Sequence, residues 1–272
     1  MSTEITLNFP TIYLEKNKAK DLFIESIVST GFAIVKTVNL DFILLQELYR
    51  MWYDFFLNGE KDKHPYTESL NEGYHPYALN INEKFKIIGL VESFYYNNCS
   101  KLDIDENLIK ITNAIYDQLL CITKKLFLWL VNACNTEVNM LQVFGLSKTC
   151  YRVMHCPPII GTNLDKEIEK YLFNDTSSTY TSFENKFRLP PHKDYSYLTL
   201  LPRSKAITGL EILYNGEWAK VSDEISDGII VNIGNKMQLI SHGFFKSTMH
   251  RVSIPCNYEE LNKSRMSSAF FI

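Results

Sequence analysis

Pro191-His192-Lys193-Asp194 sets an imidazole and a carboxylate on either side of one lysine. On a β-strand alternate side chains share a face, so His192 and Asp194 would project together and Lys193 the other way. A third ligand has to come from elsewhere, and His250, in Met249-His250-Arg251-Val252, falls on a later predicted strand. Two histidines and one carboxylate occupy one face of an octahedron and leave three positions open, which suits iron(II) binding a cosubstrate and O2 together. Zinc would favour a tetrahedral site with fewer openings. His-x-Asp pairs are common by chance, so this one needs support. Arg265 and Ser267, again two apart, share a face of the last predicted strand. A guanidinium grips a carboxylate through two hydrogen bonds and a hydroxyl adds another, so the pair can anchor a carboxylate inside a barrel. A surface salt bridge beside a solvated serine is the plainer reading of the same two residues.

Such residues need a closed β-structure to bring them together, and the second half of the chain reads as one. Short β-rich runs follow at Tyr151–Cys156, Phe187–Asp194, Tyr197–Leu201, Leu210–Tyr214, Trp218–Val221, Gly228–Ile233, Ser247–Ile254 and Arg265–Ile272. Turn signals separate them: Pro157-Pro158, Asn215-Gly216 and Asp227-Gly228. Asn215-Gly216 is a strong hairpin signal, because a two-residue type I′ turn needs positive φ at both positions. Many short strands at close spacing imply a sandwich or barrel. The polar run Asp175–Ser182 reads as a mobile loop that could lie near the mouth of a site.

The first half reads as helical. Helices are predicted over Glu15–Thr30, with Leu22, Ile24, Ile27 and Val28 as its apolar stripe, over Leu40–Leu57, and over Asp103–Asn135 as one long helix or two with a bend. Gly31 stops the first, and Phe32–Val38 reads as a short strand. The end of the last, Leu126–Val131, is apolar nearly all round and should be buried. The expectation is an α+β fold: a double-stranded β-helix (jelly-roll) core with N-terminal and flanking helices. We expect a single domain over residues 1–272, mainly helical over 1–136, with the core and the metal site in 137–272.

Composition narrows the setting. Of the 272 residues 46% are hydrophobic and 13% aromatic, enough for a substantial core. The net charge is −3, which argues against a nucleic-acid groove. The six cysteines form no CxxC pair and read as reduced thiols, Cys121 and Cys134 within an apolar helical pattern. The N-terminus lacks the basic and apolar regions of a signal peptide. The longest apolar run, about Leu126–Ala133, falls far short of the ~20 residues that span a bilayer. The expectation is a soluble, cytoplasmic protein with no membrane contact and no evident protein partner.

Further pieces follow the His-x-Asp pair in order: Leu198-Thr199-Leu200-Leu201, Gly209-Leu210-Glu211-Ile212, Trp218, Val231-Asn232-Ile233-Gly234, Ser241–Ser247, His250-Arg251-Val252 and Arg265-Met266-Ser267. Together these resemble the isopenicillin N synthase-like family of 2-oxoglutarate- and iron(II)-dependent oxygenases. The resemblance is tight over Tyr151–Ile272. It is looser upstream, at Asn8–Ile12, Gly31–Val35, Phe55-Phe56, Glu60-Lys61 and Gly73-Tyr74. It implies that His192, Asp194 and His250 bind Fe(II) and that Arg265 and Ser267 bind the distal carboxylate of 2-oxoglutarate. It also implies that O2 is used to hydroxylate, desaturate or cyclise a small molecule, with ascorbate as an in vitro supplement, and no catalytic residue beyond the metal ligands.

Four departures qualify it. Cys156 stands where the family usually has a tyrosine that helps hold 2-oxoglutarate, and a thiol is a poor hydrogen-bond donor. Lys193 replaces a small or polar residue, Asn235 replaces an aspartate, and the chain stops just past the Arg265 strand, where a more open site or a natural minimal form is expected. Arg152, Met154 and Cys156 share a strand face that would look into the barrel. Arg152 there would need an anionic partner, either a substrate carboxylate or a salt bridge at the barrel rim. Tyr74 would line the substrate mouth or pack in the core. His242 reads as structural, His155 as packed or exposed, and His64 and His75 as loop residues. Two other functions stay open: an iron oxidase of the same fold that does not use 2-oxoglutarate, of the isopenicillin N synthase or amino-cyclopropane-carboxylate oxidase type, and a degenerate barrel that only binds.

Overall fold

The computed structural model describes residues 5–77, 80–82, 87–98, 102–144, 149–159, 187–205, 208–222, 226–255 and 258–272. The polar run 175–182, Cys99 and Cys256 lie outside them. Fifteen strands are formed among the described residues: β1 Ile5–Leu7, β2 Thr11–Tyr13, β3 Phe32–Lys36, β4 Gly73–His75, β5 Asn80–Asn82, β6 Ile87–Ile88, β7 Glu92–Tyr96, β8 Cys150–Cys156, β9 Phe187–His192, β10 Leu198–Arg203, β11 Leu210–Tyr214, β12 Glu217–Val221, β13 Gly228–Ile233, β14 His250–Ser253 and β15 Arg265–Phe271. The larger sheet runs β2-β3-β13-β10-β15-β8-β7-β4 and the smaller β1-β12-β11-β14-β9, with β5 and β6 a separate pair.

Period-two alternation decides what each face of the larger sheet does. Ala33, Val35, Tyr151, Val153, Leu198, Leu200, Ile229, Val231 and Phe270 point to one side, into a core shared with the helices. Phe32, Ile34 and Ile230 point to the other and pack on Leu210, Ile212, Val221 and Val252 of the smaller sheet. The two sheets therefore face each other as a jelly roll, and helices cover the outer face of the larger one.

Those helices are α1 Ala19–Thr30, α2 Phe42–Asn58 and α3 Glu106–Ala133. Asp41 caps α2 by accepting from the Ile43 and Leu44 amides, and Asp105 caps α3 by accepting from Leu108, each satisfying end donors that have no partner inside the helix. Gly31 ends α1 at φ +77°, where a Cβ would meet the Lys246 carbonyl at 2.5 Å.

Three expectations need correcting. The mainly helical segment 1–136 also gives strands to the larger sheet: β3, which was expected, and β2, β4 and β7, which were not. The three unexpected strands have three to five residues, and β7 buries Glu92 and Ser93, so no apolar alternation announces them. Second, the stripe proposed for α1 is displaced. Ala19, Phe23 and Ile27 are buried while Leu22 and Val28 are exposed. Third, His75 lies on β4, not in a loop. Cys121 is exposed, and Cys121, Cys134, Cys150 and Cys156 are free thiols.

Candidate metal centre

His192 closes β9 and His250 opens β14, and these two strands of the smaller sheet pair with the two histidines directly opposite each other. Their ring centroids are 4.3 Å apart. Asp194 lies two residues beyond the end of β9, so strand alternation does not place it. A web of backbone bonds does. The Asn235 amide donates to the Asp194 carbonyl at 2.8 Å, Lys236 to Ser196 at 3.0 Å and Gly234 to Tyr197 at 3.1 Å. Gly234 approaches this loop so closely that a Cβ would sit 2.2 Å from the Ser196 carbonyl oxygen.

The carboxylate itself is oriented by the larger sheet. Thr199 and Asn232 are a cross-strand pair of β10 and β13, and both donate to Asp194 Oδ2 at 2.7 Å. Oδ1 is left facing His192 Nε2 at 3.6 Å and His250 Nε2 at 3.7 Å. One ligand atom from each of the three residues lies within 4.8 Å of the others. The far ring nitrogens are occupied: His192 Nδ1 donates to the Pro190 carbonyl at 2.8 Å and His250 Nδ1 to the Thr248 carbonyl at 3.1 Å. That arrangement leaves both Nε2 lone pairs free toward the carboxylate, as a metal site requires.

Electrostatics agree with a cation between them. Burial, helped by the neighbouring His250, pushes His192 down to about 4. Burial would raise Asp194, but the two histidines and the hydrogen bonds from Asn232 and Thr199 outweigh it and hold the carboxyl below its usual range. The donor set of two neutral imidazole nitrogens and one carboxylate oxygen fits iron(II). Lys193 is exposed, as expected.

The triad opens on a cavity between the sheets. Arg265 and Ser267 of β15 line it, with Arg265 Nη1 donating to Ser267 Oγ at 3.0 Å. Arg152, Met154 and Cys156 of β8 line it too. Arg152 donates to Ser93 Oγ at 3.0 Å and lies 5.0 Å from the Tyr95 ring centroid, and neither partner is an anion. Tyr74 does not line it. Its ring is buried in the core and its hydroxyl donates to Glu92 Oε2 at 2.6 Å, because β4 lies at the far edge of the larger sheet. Glu92 also takes Lys61 and His155 at 2.7 Å each, so His155 is a packed structural residue. His242 is exposed at φ +50°.

Sequence reasoning missed Thr199, Asn232, Arg188 and Arg203 at this site. The last two also line the cavity and are buried. A guanidinium inside the apolar run Phe187–Pro191 was the available signal for Arg188.

The family model described as the 2OG-Fe(II) oxygenase superfamily matches residues 169–272. That match covers less than half of the chain. The match takes in β9 to β15 and so covers all three proposed metal ligands and the Arg265–Ser267 pair. Gibberellin 2-beta-dioxygenase 7 of Arabidopsis thaliana is 43% identical over 86 residues, 32% of this chain and 24% of that protein. The chain thus aligns with about a quarter of the length of such curated relatives. Two solved structures share the fold. One is a full-length Neurospora crassa protein in complex with alpha-KG and thymine (18% identity, TM-score 0.76, 98% of this chain and 88% of that one). The other is JOX2 in complex with 2OG, Fe and JA (20% identity, TM-score 0.75, 99% and 76%). Among the described residues no helix is long and apolar enough to cross a membrane.

Proposed function

We propose that this chain is a 2-oxoglutarate- and Fe(II)-dependent dioxygenase acting on a small anionic molecule. One observation carries the reading: His192, Asp194 and His250 converge within 4.8 Å on a cavity that also presents Arg265 and Ser267. When bound, iron(II) and 2-oxoglutarate supply O2 reduction coupled to loss of CO2 from the keto acid and oxidation of a substrate C–H bond. The chain's own share is positioning. His192 and His250 present Nε2 because Nδ1 of each is tied to a backbone carbonyl, and Asp194 presents Oδ1 because Oδ2 is tied to Thr199 and Asn232. Arg265 and Ser267 fix the far end of the cosubstrate. The sheets keep water from the buried side of the cavity, which strengthens each of these charged contacts.

The substrate class follows from charge. Among the described residues the cavity wall carries Arg152, Arg188 and Arg265 against the single carboxylate of Asp194. Iron(II) and dianionic 2-oxoglutarate cancel, so an excess of positive charge remains for the substrate. Arg152 is the arginine we assign to it, since its present partners are a hydroxyl and a ring.

The test is release of labelled CO2 from 1-labelled 2-oxoglutarate with iron(II), ascorbate and O2. Stimulated release with anionic candidates is expected, and Arg152→Ala should raise KM for the substrate more than for 2-oxoglutarate. Iron binding without release under any condition would favour the oxidase that dispenses with 2-oxoglutarate, a reading Cys156 supports. Unchanged substrate affinity and turnover in Arg152→Ala would remove Arg152 from the substrate site.

A further inference from the structure

Cys156 is buried and lines the cavity, but its thiol is a weak donor. Stronger donors lie around it with no partner among the described residues. Arg188 is 3% exposed, yet its Nε and Nη2 have no hydrogen-bond partner. The chain bulges there: Phe187 pairs with Ser253 and Leu189 with Val252, so Arg188 is the extra residue of β9. A bulge re-aims a side chain out of the regular alternation, and Arg188 lines the cavity. Tyr77, two residues past β4, has a buried hydroxyl with no partner. The registers of β4 with β7 and of β7 with β8, carried two residues past His75, align Tyr77 with Val91 and Cys156 of the cavity wall, and the Arg188 and Cys156 charges both act on its hydroxyl. Arg265 sits opposite Cys156 in the register of β15 and β8. Its Nε is also buried and unpartnered, and the Arg188 charge acts on it.

Unserved buried donors are costly, and guanidiniums most of all. Four such atoms in one corner, Tyr77 Oη, Arg188 Nε and Nη2, and Arg265 Nε, call for an anion with several acceptor positions. A carboxylate offers about four. We propose that Arg188 and Tyr77 complete the carboxylate site begun by Arg265 and Ser267, so that the far carboxylate of a keto dicarboxylic acid is held between two guanidiniums and a phenol. This rests on the function proposed above. It makes Cys156 a relocation of a donor: the phenol reaches the same corner from the segment after β4.

The test is calorimetric binding of 2-oxoglutarate and of pyruvate, which lacks the far carboxylate, to the Mn(II)-loaded full chain. Arg188→Gln should weaken 2-oxoglutarate roughly 10- to 100-fold and Tyr77→Phe roughly 3- to 10-fold. Pyruvate should bind both variants as it binds wild type, and Arg188→Lys should recover part of the loss. Thermal stability of Arg188→Gln should equal or exceed wild type, because the donors removed have no partner. Wild-type affinity for 2-oxoglutarate in both variants, with Arg265→Gln impaired, would overturn the inference and leave the proposed function standing. Equal weakening of both ligands would reduce Arg188 to a structural role and also overturn it. A wild-type protein that binds Mn(II) but no 2-oxoglutarate would overturn both.

Discussion

Asn232→Leu isolates the device that orients Asp194, the proposed carboxylate ligand. The Asn232 amide donates to Asp194 Oδ2 at 2.7 Å, and it is fully buried. A hydrogen bond to a buried charge contributes about 1.5–3 kcal/mol. Thr199 Oγ1 still donates to the same oxygen at 2.7 Å in the variant, so Asp194 keeps one tether and gains rotational freedom about it. The lower half of that range applies, ~1.5–2 kcal/mol, which is roughly a 10- to 30-fold weaker metal Kd. Leucine also removes Asn232 Oδ1, a buried acceptor with no partner, so part of the folding cost is offset. Mn(II) titration by calorimetry at neutral pH, alongside a melting curve, reads both quantities. Thr199→Val should behave alike. The double variant should lose more than the sum, because both donors serve one oxygen and either alone limits its rotation. A folded Asn232→Leu protein that binds Mn(II) as tightly as wild type would refute the idea that the larger sheet aims the carboxylate.

Three further outcomes are expected. His250→Ala should abolish stoichiometric Mn(II) or Fe(II) binding with the fold retained, and a variant that keeps its metal would mean a different third ligand. Gly234→Ala drives a Cβ to 2.2 Å from the Ser196 carbonyl, so it should cost about 1–3 kcal/mol in stability and weaken metal binding in parallel, because the displaced loop carries Asp194. Glu92→Gln removes a buried carboxylate held by His155, Lys61 and Tyr74, so it should cost about 3 kcal/mol, or roughly 6–12 °C in Tm. Burial would raise Glu92, and the hydrogen bonds from His155, Lys61 and Tyr74 outweigh it, leaving the folded value below 4.5. A depressed carboxyl stabilises the fold above its unfolded pKa and stops doing so as the pH falls through the folded one. The Tm gap between wild type and Glu92→Gln should therefore be full at neutral pH and close below about 4.5.

The β11–β12 hairpin of the smaller sheet was legible because a two-residue turn signal joins its strands. Leu210–Tyr214 has the bounds expected, as does Gly228–Ile233 of the larger sheet, and Asn215 and Gly216 both have positive φ, at 51° and 86°. Arg265 and Ser267 share the cavity because β15 is regular enough for period two to hold. Asp194 reached the site by another route than strand geometry: tertiary bonds from Gly234, Asn235 and Lys236 place it, and no local pattern encodes those. Arg188 was hidden for the opposite reason, since a bulge breaks the alternation on which face assignments rest. Of the N-terminal strands in the larger sheet, β3 was legible as an apolar run, whereas β2, β4 and β7 are too short or too polar to show a period. Tyr74 could be read two ways from sequence, and the choice fell to Glu92, a buried charge whose neighbours only the fold supplies.

The pairing of β3 with β13 sets Phe32 against Asn232, 200 residues apart in the chain. During synthesis at about 5–20 residues per second, the strand that carries Phe32 leaves the ribosome roughly 10–40 seconds before the strand that buries it. Until then β3 has an unpaired apolar edge, and α1 has only part of the surface it covers. The nascent chain must hold that edge soluble for the whole interval. The donor that aims Asp194 is delivered by the same late event. Closure of the N-terminal edge and aiming of the Asp194 carboxylate are therefore timed together, and a chain stalled before β13 would be prone to edge-to-edge association.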